Sequence, residues 1–144
     1  MDKLLKKAKG VAIIGCSAVK YRTSYHIASY LKENGLRILP VNPGYDEVLG
    51  EKCYDSVKDI PEDIQVDIVD IFRDSQYTAE MVRETIEWAN ETGRKPVIWT
   101  QLDVSSPEAK SLAEEAGFDY VENKCIMVEH SKKLDIKHEN PYKG

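Results

Sequence analysis

The sequence predicts an α/β protein, a single doubly wound three-layer sandwich built around a mainly parallel five-stranded sheet. Three observations predict it. Five short segments rich in branched residues recur along the chain, amphipathic stretches of helical spacing separate them, and glycine, serine and proline stand where those helices should start and stop. At 144 residues the chain has the size of one domain.

The strand candidates are residues 11–14, 37–41, 66–71, 96–99 and a weaker one at 119–121. Apolar runs this short read as strands covered on both faces. Between them, Ile27 and Leu31, then Met81, Val82, Ile86 and Ala89, then Leu112, Ala113 and Ala116 fall on one side of a helix. Ser106 followed by Pro107 is an N-cap with proline at the first helical position, and Gly35, Gly93 and Gly117 end the three helices. Alternating strands and helices pair in parallel through right-handed crossovers. Residues 43–61 form a long mixed loop with one short helical turn expected around 46–49, and the lysine-rich stretch from Ser131 onward reads as a solvated extension or an added edge element, expected to be poorly ordered. The predicted division is a domain over residues 1–131 and a C-terminal tail over 132–144.

A hydrophobic fraction of 42% with 31% charged residues belongs to an ordinary globular chain, which excludes disordered and fibrous classes. A net charge of −5 removes the basic footprint of a nucleic-acid binder, so an anion site must be local. Cys16, Cys53 and Cys125 are far apart and form no Cys-x-x-Cys pair, which fits reduced thiols in a cytoplasm. The apolar run at 11–14 is too short for a signal core or a membrane span. No membrane partner is expected, a homo-oligomer is compatible with the sequence, and the protein partner is unknown.

In an open parallel sheet, ligands bind outside the carboxyl ends of the strands. After the first strand come Gly15, Cys16, Ser17, Lys20, Arg22, Thr23 and Ser24. Gly15 permits a sharp turn, the helix start favours an anion, the hydroxyls can donate to phosphate oxygens, and Lys20 and Arg22 add charge. Thr23 or Ser24 serves equally as a helix cap. The fingerprint G-x-G-x-x-G is absent and no Gly-Lys-Ser/Thr occurs, which argues against ordinary NAD binding and excludes a P-loop. The second strand ends in Val41, Asn42, Pro43 and Tyr45, a stiff segment that is either a plain turn or a wall over a purine. The third ends in Phe72 and Arg73, an aromatic ring beside a guanidinium, suited to phosphate or to a surface pair with Asp74. The fourth ends in Trp99 and Gln101, with Trp99 in the core or a pocket wall, and the fifth leads to Asn123 and Cys125.

The order Val-x-Ile-x-Gly-x-Ser, Pro40-Val41-Asn42-Pro43, Leu49-Gly50-Glu51, Tyr54-x-Ser56, Val69-Asp70-x-Phe72-Arg73, Trp99-x-Gln101 and Asn123-x-Cys125 resembles the stand-alone CoA-binding domain family. That family is similar to the N-terminal domain of the succinyl-CoA synthetase α subunit. The match spans roughly residues 8–131. The resemblance implies a Rossmann-like fold and coenzyme A, or an acyl-CoA, as a small-molecule ligand. It also implies phosphates on the 15–24 loop, adenosine between Asn42-Pro43 and Phe72-Arg73, and pantetheine toward Gln101 and the 123–125 turn. Two departures fall at the pantetheine end: Asp103 stands where relatives commonly carry glycine, and Asn123-Lys124 where they carry Asp-Arg.

No nucleophile, base and acid set can be assembled, and none of His26, His130 and His138 inherits the phosphorylated histidine of the synthetase, which lies in another domain. Asp67 and Asp70 alternate onto opposite faces of a strand, so no metal site follows. Cys16 and Cys125 sit in ligand loops, where a mixed disulfide with the CoA sulfur is one chemistry open to them. A binding module without its own catalytic set is the expectation. The alternatives are an NAD(P)-linked oxidoreductase, an acyl-CoA synthetase component, or a regulatory module whose CoA occupancy signals to a partner.

Overall fold

The chain's alternating segments assemble, in a computed structural model describing residues 2–137, in the order α1 (Asp2–Lys7), β1 (Gly10–Ile14), α2 (Thr23–Glu33), β2 (Arg37–Val41), β3 (Glu47–Val48), β4 (Glu51–Lys52) and a 3-10 turn (Val57–Asp59). There follow β5 (Ile68–Ile71), α3 (Ser75–Thr92), β6 (Val97–Thr100), α4 (Pro107–Glu115), β7 (Tyr120–Val121) and α5 (Ile126–Lys137). Five strands form one parallel sheet in the order β2-β1-β5-β6-β7. The chain leaves β1 for β2 on one side and then crosses to β5 on the other, so the direction of winding reverses between β1 and β5. The predicted fold class and all five predicted strands are present, with ends shifted by a residue or two.

Every residue of β1 and β5 is buried, because helices cover both faces of the sheet. Alternation sorts the side chains. Val11, Ile13, Ile38, Ile68 and Trp99 face α1, α2 and α5, where they meet Leu5, Ile27, Leu31 and Ile126. Ala12, Ile14, Leu39, Val69, Ile71 and Ile98 face α3 and α4, where they meet Val82, Trp88, Ala89 and Ala113. Ser106 Oγ accepts a hydrogen bond from Ala109 N at 3.1 Å with Pro107 at the first turn, so the predicted cap of α4 forms.

Three expectations change. The helical turn at 46–49 is instead a hairpin of β3 and β4, whose two connecting residues, Leu49 and Gly50, have φ of 54° and 76°. That geometry matches the twist of paired strands. Lys32 on α2 clamps it, donating to the Leu49 carbonyl at 2.6 Å and pairing with Glu51 at 2.9 Å. The tail expected from Ser131 onward is helical as far as Lys137, because α5 anchors itself through buried Ile126 and through His130, whose Nδ1 lies 2.8 Å from the Tyr30 hydroxyl on α2. Helix α1 was not expected, and its buried Leu5 extends the same core. Residues 138–144, with His138, lie outside the described residues.

Asp67 and Asp70 part company, as alternation predicts. Asp67 precedes β5 at the amino edge, where its Oδ2 accepts from Lys9 N and Gly10 N at 2.8 and 3.1 Å. Asp70 sits mid-strand between Ile13 and Trp99, fully buried, and neither carboxyl oxygen has a hydrogen-bond partner among the described residues. Burial pushes its carboxyl well above the usual range, so it is held as the neutral acid.

An acid whose folded pKa is raised contributes most to stability below its unfolded value, about 3.9, and that contribution is lost as pH rises toward the folded value. Stability should therefore fall by up to about 1.4 kcal/mol per pH unit across that window. Asp70→Asn removes the titration, so its urea-unfolding free energy should gain on the wild type as pH rises above about 4. Parallel pH profiles would show that Asp70 ionises freely in the fold.

Candidate functional site

The reversal between β1 and β5 fixes where the site must be. Ladder bonds continue past the strand ends: Gly15 N donates to the Val41 carbonyl at 2.8 Å and Phe72 N to the Ile14 carbonyl at 2.8 Å. Gly15 has φ of +83°, and a Cβ placed there would lie 2.0 Å from the Phe72 carbonyl oxygen. Only glycine fits so close to a neighbouring backbone, and only glycine adopts that φ without strain.

From Gly15 the chain turns into a loop that spends its small side chains on itself. Ser17 N donates to Ser24 Oγ at 2.9 Å, Val19 N donates to Ser17 Oγ at 3.0 Å, and Asn42 Nδ2 donates to the Cys16 carbonyl at 3.1 Å. Ser24 is buried, so its role is to hold the loop against α2. The N-cap of α2 is Arg22, extended at φ −77° and ψ 143°, with no side-chain cap. Neither Thr23 nor Ser24 is therefore the cap, and the first backbone N–H groups of an 11-residue helix face the loop uncapped by a side chain.

A groove of about 520 Å³ opens there, lined by Gly15, Ser17, Val19, Arg22, Thr23, Ser24, Asn42, Tyr45, Phe72 and Arg73. Among the described residues, Arg22, Arg73 and nearby Lys20 have no carboxylate within ion-pair distance. Arg73 instead lies over the Tyr77 ring at 4.9 Å and Arg22 near the Tyr21 ring at 5.8 Å. Two guanidiniums without counter-charges beside a helix start form an anion-receptive edge.

A smaller cavity of about 180 Å³ adjoins it and shares Gly15, Asn42 and Arg73. Val41 and Pro43 line it as well, so the β1, β2 and β5 ends converge as the sequence predicts. Sequence reasoning missed its other walls, Ile14, Asp55, Ser56, Met81 and Glu84. Ser56 was visible in the Tyr54-x-Ser56 motif, and Glu84 follows Met81 by three residues, on a neighbouring part of the same helix surface. Another depression, of about 500 Å³, lies at the amino edge, but its Asp67 and Arg94 are occupied by backbone groups.

Other predicted site residues do not line either cavity. Lys20 is exposed on the loop. Trp99 is fully buried and donates to the Lys124 carbonyl at 2.7 Å, so it is core rather than pocket wall. Gln101 is buried too, and its Oε1 accepts from Ile126 N at 3.2 Å, holding the start of α5. Asn123, at φ 55°, accepts from Asp103 N at 3.3 Å, and Asp103 has φ 62°, the left-handed conformation in which glycine is the usual occupant. These bonds shape the β6 and β7 loops. Cys125 is half-buried in the same region.

Cys16 lies in the loop after β1 but is fully buried in the core. Burial, with Cys53 alongside, pushes its thiol up to about 12. With no exposed surface, the Cys16 thiol is out of reach of a disulfide in the folded chain, and buried structural cysteines of this kind are inert. Burial raises Cys53 as well, and its thiol donates to the Asn42 carbonyl at 3.4 Å.

An open parallel sheet with an anion-receptive edge at its reversal point defines the class, a Rossmann-like α/β domain. The chain belongs to the CoA binding domain family, whose model matches residues 9–131. It is 33% identical to uncharacterized protein YneT of Bacillus subtilis over 131 residues, which cover 91% of this chain and 92% of the relative. It is 42% identical over 67 residues to the ADP-forming acetate–CoA ligase of Methanocaldococcus jannaschii, covering 46% of this chain but only 10% of the ligase. A hypothetical protein from Pyrococcus horikoshii superposes with a TM-score of 0.83 at 38% identity, covering 93% of this chain and 92% of that one. A Thermus thermophilus protein superposes at 0.82 with 31% identity, covering 92% and 98%.

Two outcomes check this geometry. Gly15→Val should lower the urea midpoint, since strain at such a position costs on the order of 1–3 kcal/mol before the clash with Phe72 is counted. An unchanged midpoint would contradict the close approach. An alkylating reagent applied to the native protein should label Cys125 and spare Cys16 and Cys53 until the chain unfolds, as read by peptide mass mapping. Labelling of native Cys16 at the rate of Cys125 would place its thiol outside the core.

Proposed function

We propose that this chain binds coenzyme A or an acyl-CoA at the carboxyl edge of its sheet, as a binding module without a catalytic set of its own. The observation that carries the reading is the 520 Å³ groove, where Arg22 and Arg73 stand without ion-pair partners at the start of α2, in a chain of the CoA binding domain family. Its cations suit a polyanion. CoA offers a pyrophosphate and a 3′-phosphate, and Arg is the side chain best shaped for such groups. Adenosine lies between Asn42-Pro43 and Phe72-Arg73, and pantetheine extends toward the loops that Gln101 and Asn123 shape.

The absence of catalysis is supported by what surrounds the groove. Its nearest thiol, Cys16, is buried and held protonated. His26 is exposed on α2, and His130 is buried beside Tyr30. The similarity to acetate–CoA ligase covers a tenth of that enzyme, so ligase chemistry is not carried over. Free cysteines fit a cytoplasmic setting, and no helix among the described residues is long and apolar enough to cross a membrane.

The test is thermal stability with each ligand in turn. A ligand at a hundred times its Kd adds about 2.7 kcal/mol, and each kcal/mol raises the midpoint of a domain near this size by roughly 2–4 °C. CoA should raise it by several degrees, dephospho-CoA by less and NAD by least. Arg22→Ala should cut CoA affinity by roughly ten- to a hundredfold in a calorimetric titration while leaving the free protein's midpoint unchanged, since hydrogen bonds to charged groups contribute about 1.5–3 kcal/mol. Gln101→Ala should do the reverse, lowering the midpoint through the lost bond to α5. An NAD or NADP shift equal to that of CoA would restore the oxidoreductase reading.

A further inference from the structure

The two cavities at the carboxyl edge differ in charge. The groove over α2 carries two arginines and hydroxyls and no carboxylate, whereas the 180 Å³ cavity beside it sets Asp55 and Glu84 against the single shared Arg73. Arg73 stands at the border shared with the groove, and beyond it two carboxylates outnumber that one cation, so a neutral part of a nucleotide that offers hydrogen-bond donors suits the smaller cavity better than a phosphate. Ile14, Val41, Pro43 and Met81 supply apolar walls, which suit a flat ring. Gly15, Asn42 and Arg73 border both spaces, so one ligand can occupy them together.

Within the cavity, Ser56 fixes Glu84. The Ser56 hydroxyl donates to Glu84 Oε1 and accepts from Lys58 N at 3.1 Å, which ties the carboxylate on α3 to the 3-10 turn. Glu84 Oε2 accepts no hydrogen bond from any described residue, and no cation pairs with Glu84. A carboxylate is an acceptor only. Held in this position, it favours a ring bearing an amino group and opposes one bearing a carbonyl oxygen at the same place.

We propose that this cavity takes the purine base of the bound nucleotide and that Glu84, positioned by Ser56, selects a 6-amino purine over a 6-oxo purine. The inference rests on the CoA reading and deepens it by assigning specificity to a residue on α3. Discrimination of this kind is strong where the wrong group leaves a polar side chain opposed rather than merely unfilled.

The experiment is a calorimetric titration of the full chain with CoA and with its deaminated analogue, which carries hypoxanthine in place of adenine. The wild type should bind CoA at least about tenfold more tightly, because the analogue sets a carbonyl oxygen against the carboxylate. Glu84→Gln offers both a donor and an acceptor, so the two affinities should converge to within about threefold. Ser56→Ala, which releases the carboxylate without removing it, should give an intermediate ratio. Equal binding of both ligands by the wild type overturns the base assignment and leaves CoA binding standing, the outcome expected if Glu84 instead met a ribose hydroxyl. An unchanged preference in a folded Glu84→Gln also overturns it. Binding of neither ligand by the wild type overturns the CoA reading itself and the base assignment with it.

Discussion

The Phe72 carbonyl occupies the space in which any side chain at position 15 would have to begin. This approach is the constraint on which the carboxyl edge depends. It keeps the ends of β1 and β5 in ladder contact at the point where the winding reverses, through the bond from Phe72 N to the Ile14 carbonyl. It also brings Arg73 beside Gly15, so a guanidinium that follows one strand borders the loop that follows another. Had the strands separated here to admit a Cβ, the groove and the smaller cavity would lose their common border.

Around that contact the chain divides its polar groups by task. Ser24, Asn42, Gln101 and Trp99 spend their hydrogen bonds on backbone, fixing the loops that follow β1, β2 and β6. Arg22, Thr23 and Arg73 line the groove without ion-pair partners. A side chain already bonded within the protein gives rigidity, and one without a partner gives affinity. Ser17, Ser24 and Asn42 belong to both groups, since they hold the loop and also line the groove.

The sheet was legible in the sequence because strands buried on both faces must be apolar along their whole length, and because Gly93, Ser106-Pro107 and Gly117 mark helix ends chemically. The β3–β4 hairpin was not legible, since Leu49 is a poor advertisement for a turn needing positive φ at both centres. Helix α5 was missed because its anchors, Ile126 and His130, precede a run of lysines that reads as solvent-exposed tail. At the candidate site, position along the chain indicated that the ends of β1, β2 and β5 converge, but it could not say which way a side chain points. Cys16, in the loop after β1, and Trp99, within β6, both turn inward. Glu84 lies in a helix interior, and only the packing of α3 against the 3-10 turn brings it to the cavity.

The outer edge of β2 is closed in an unusual way. Pro40 has no N–H to offer, its carbonyl accepts from Tyr54 N at 2.9 Å, and Asn42 N donates to the Tyr54 carbonyl at 2.8 Å. On the opposite margin, β7 is only two residues long. One border is thus paired at its carboxyl end with a segment of its own chain, and the other is too short to template a neighbour. The sheet resists growth by strand addition, so crowding or partial loosening of the loops would not readily turn this protein into a seed for cross-β aggregation.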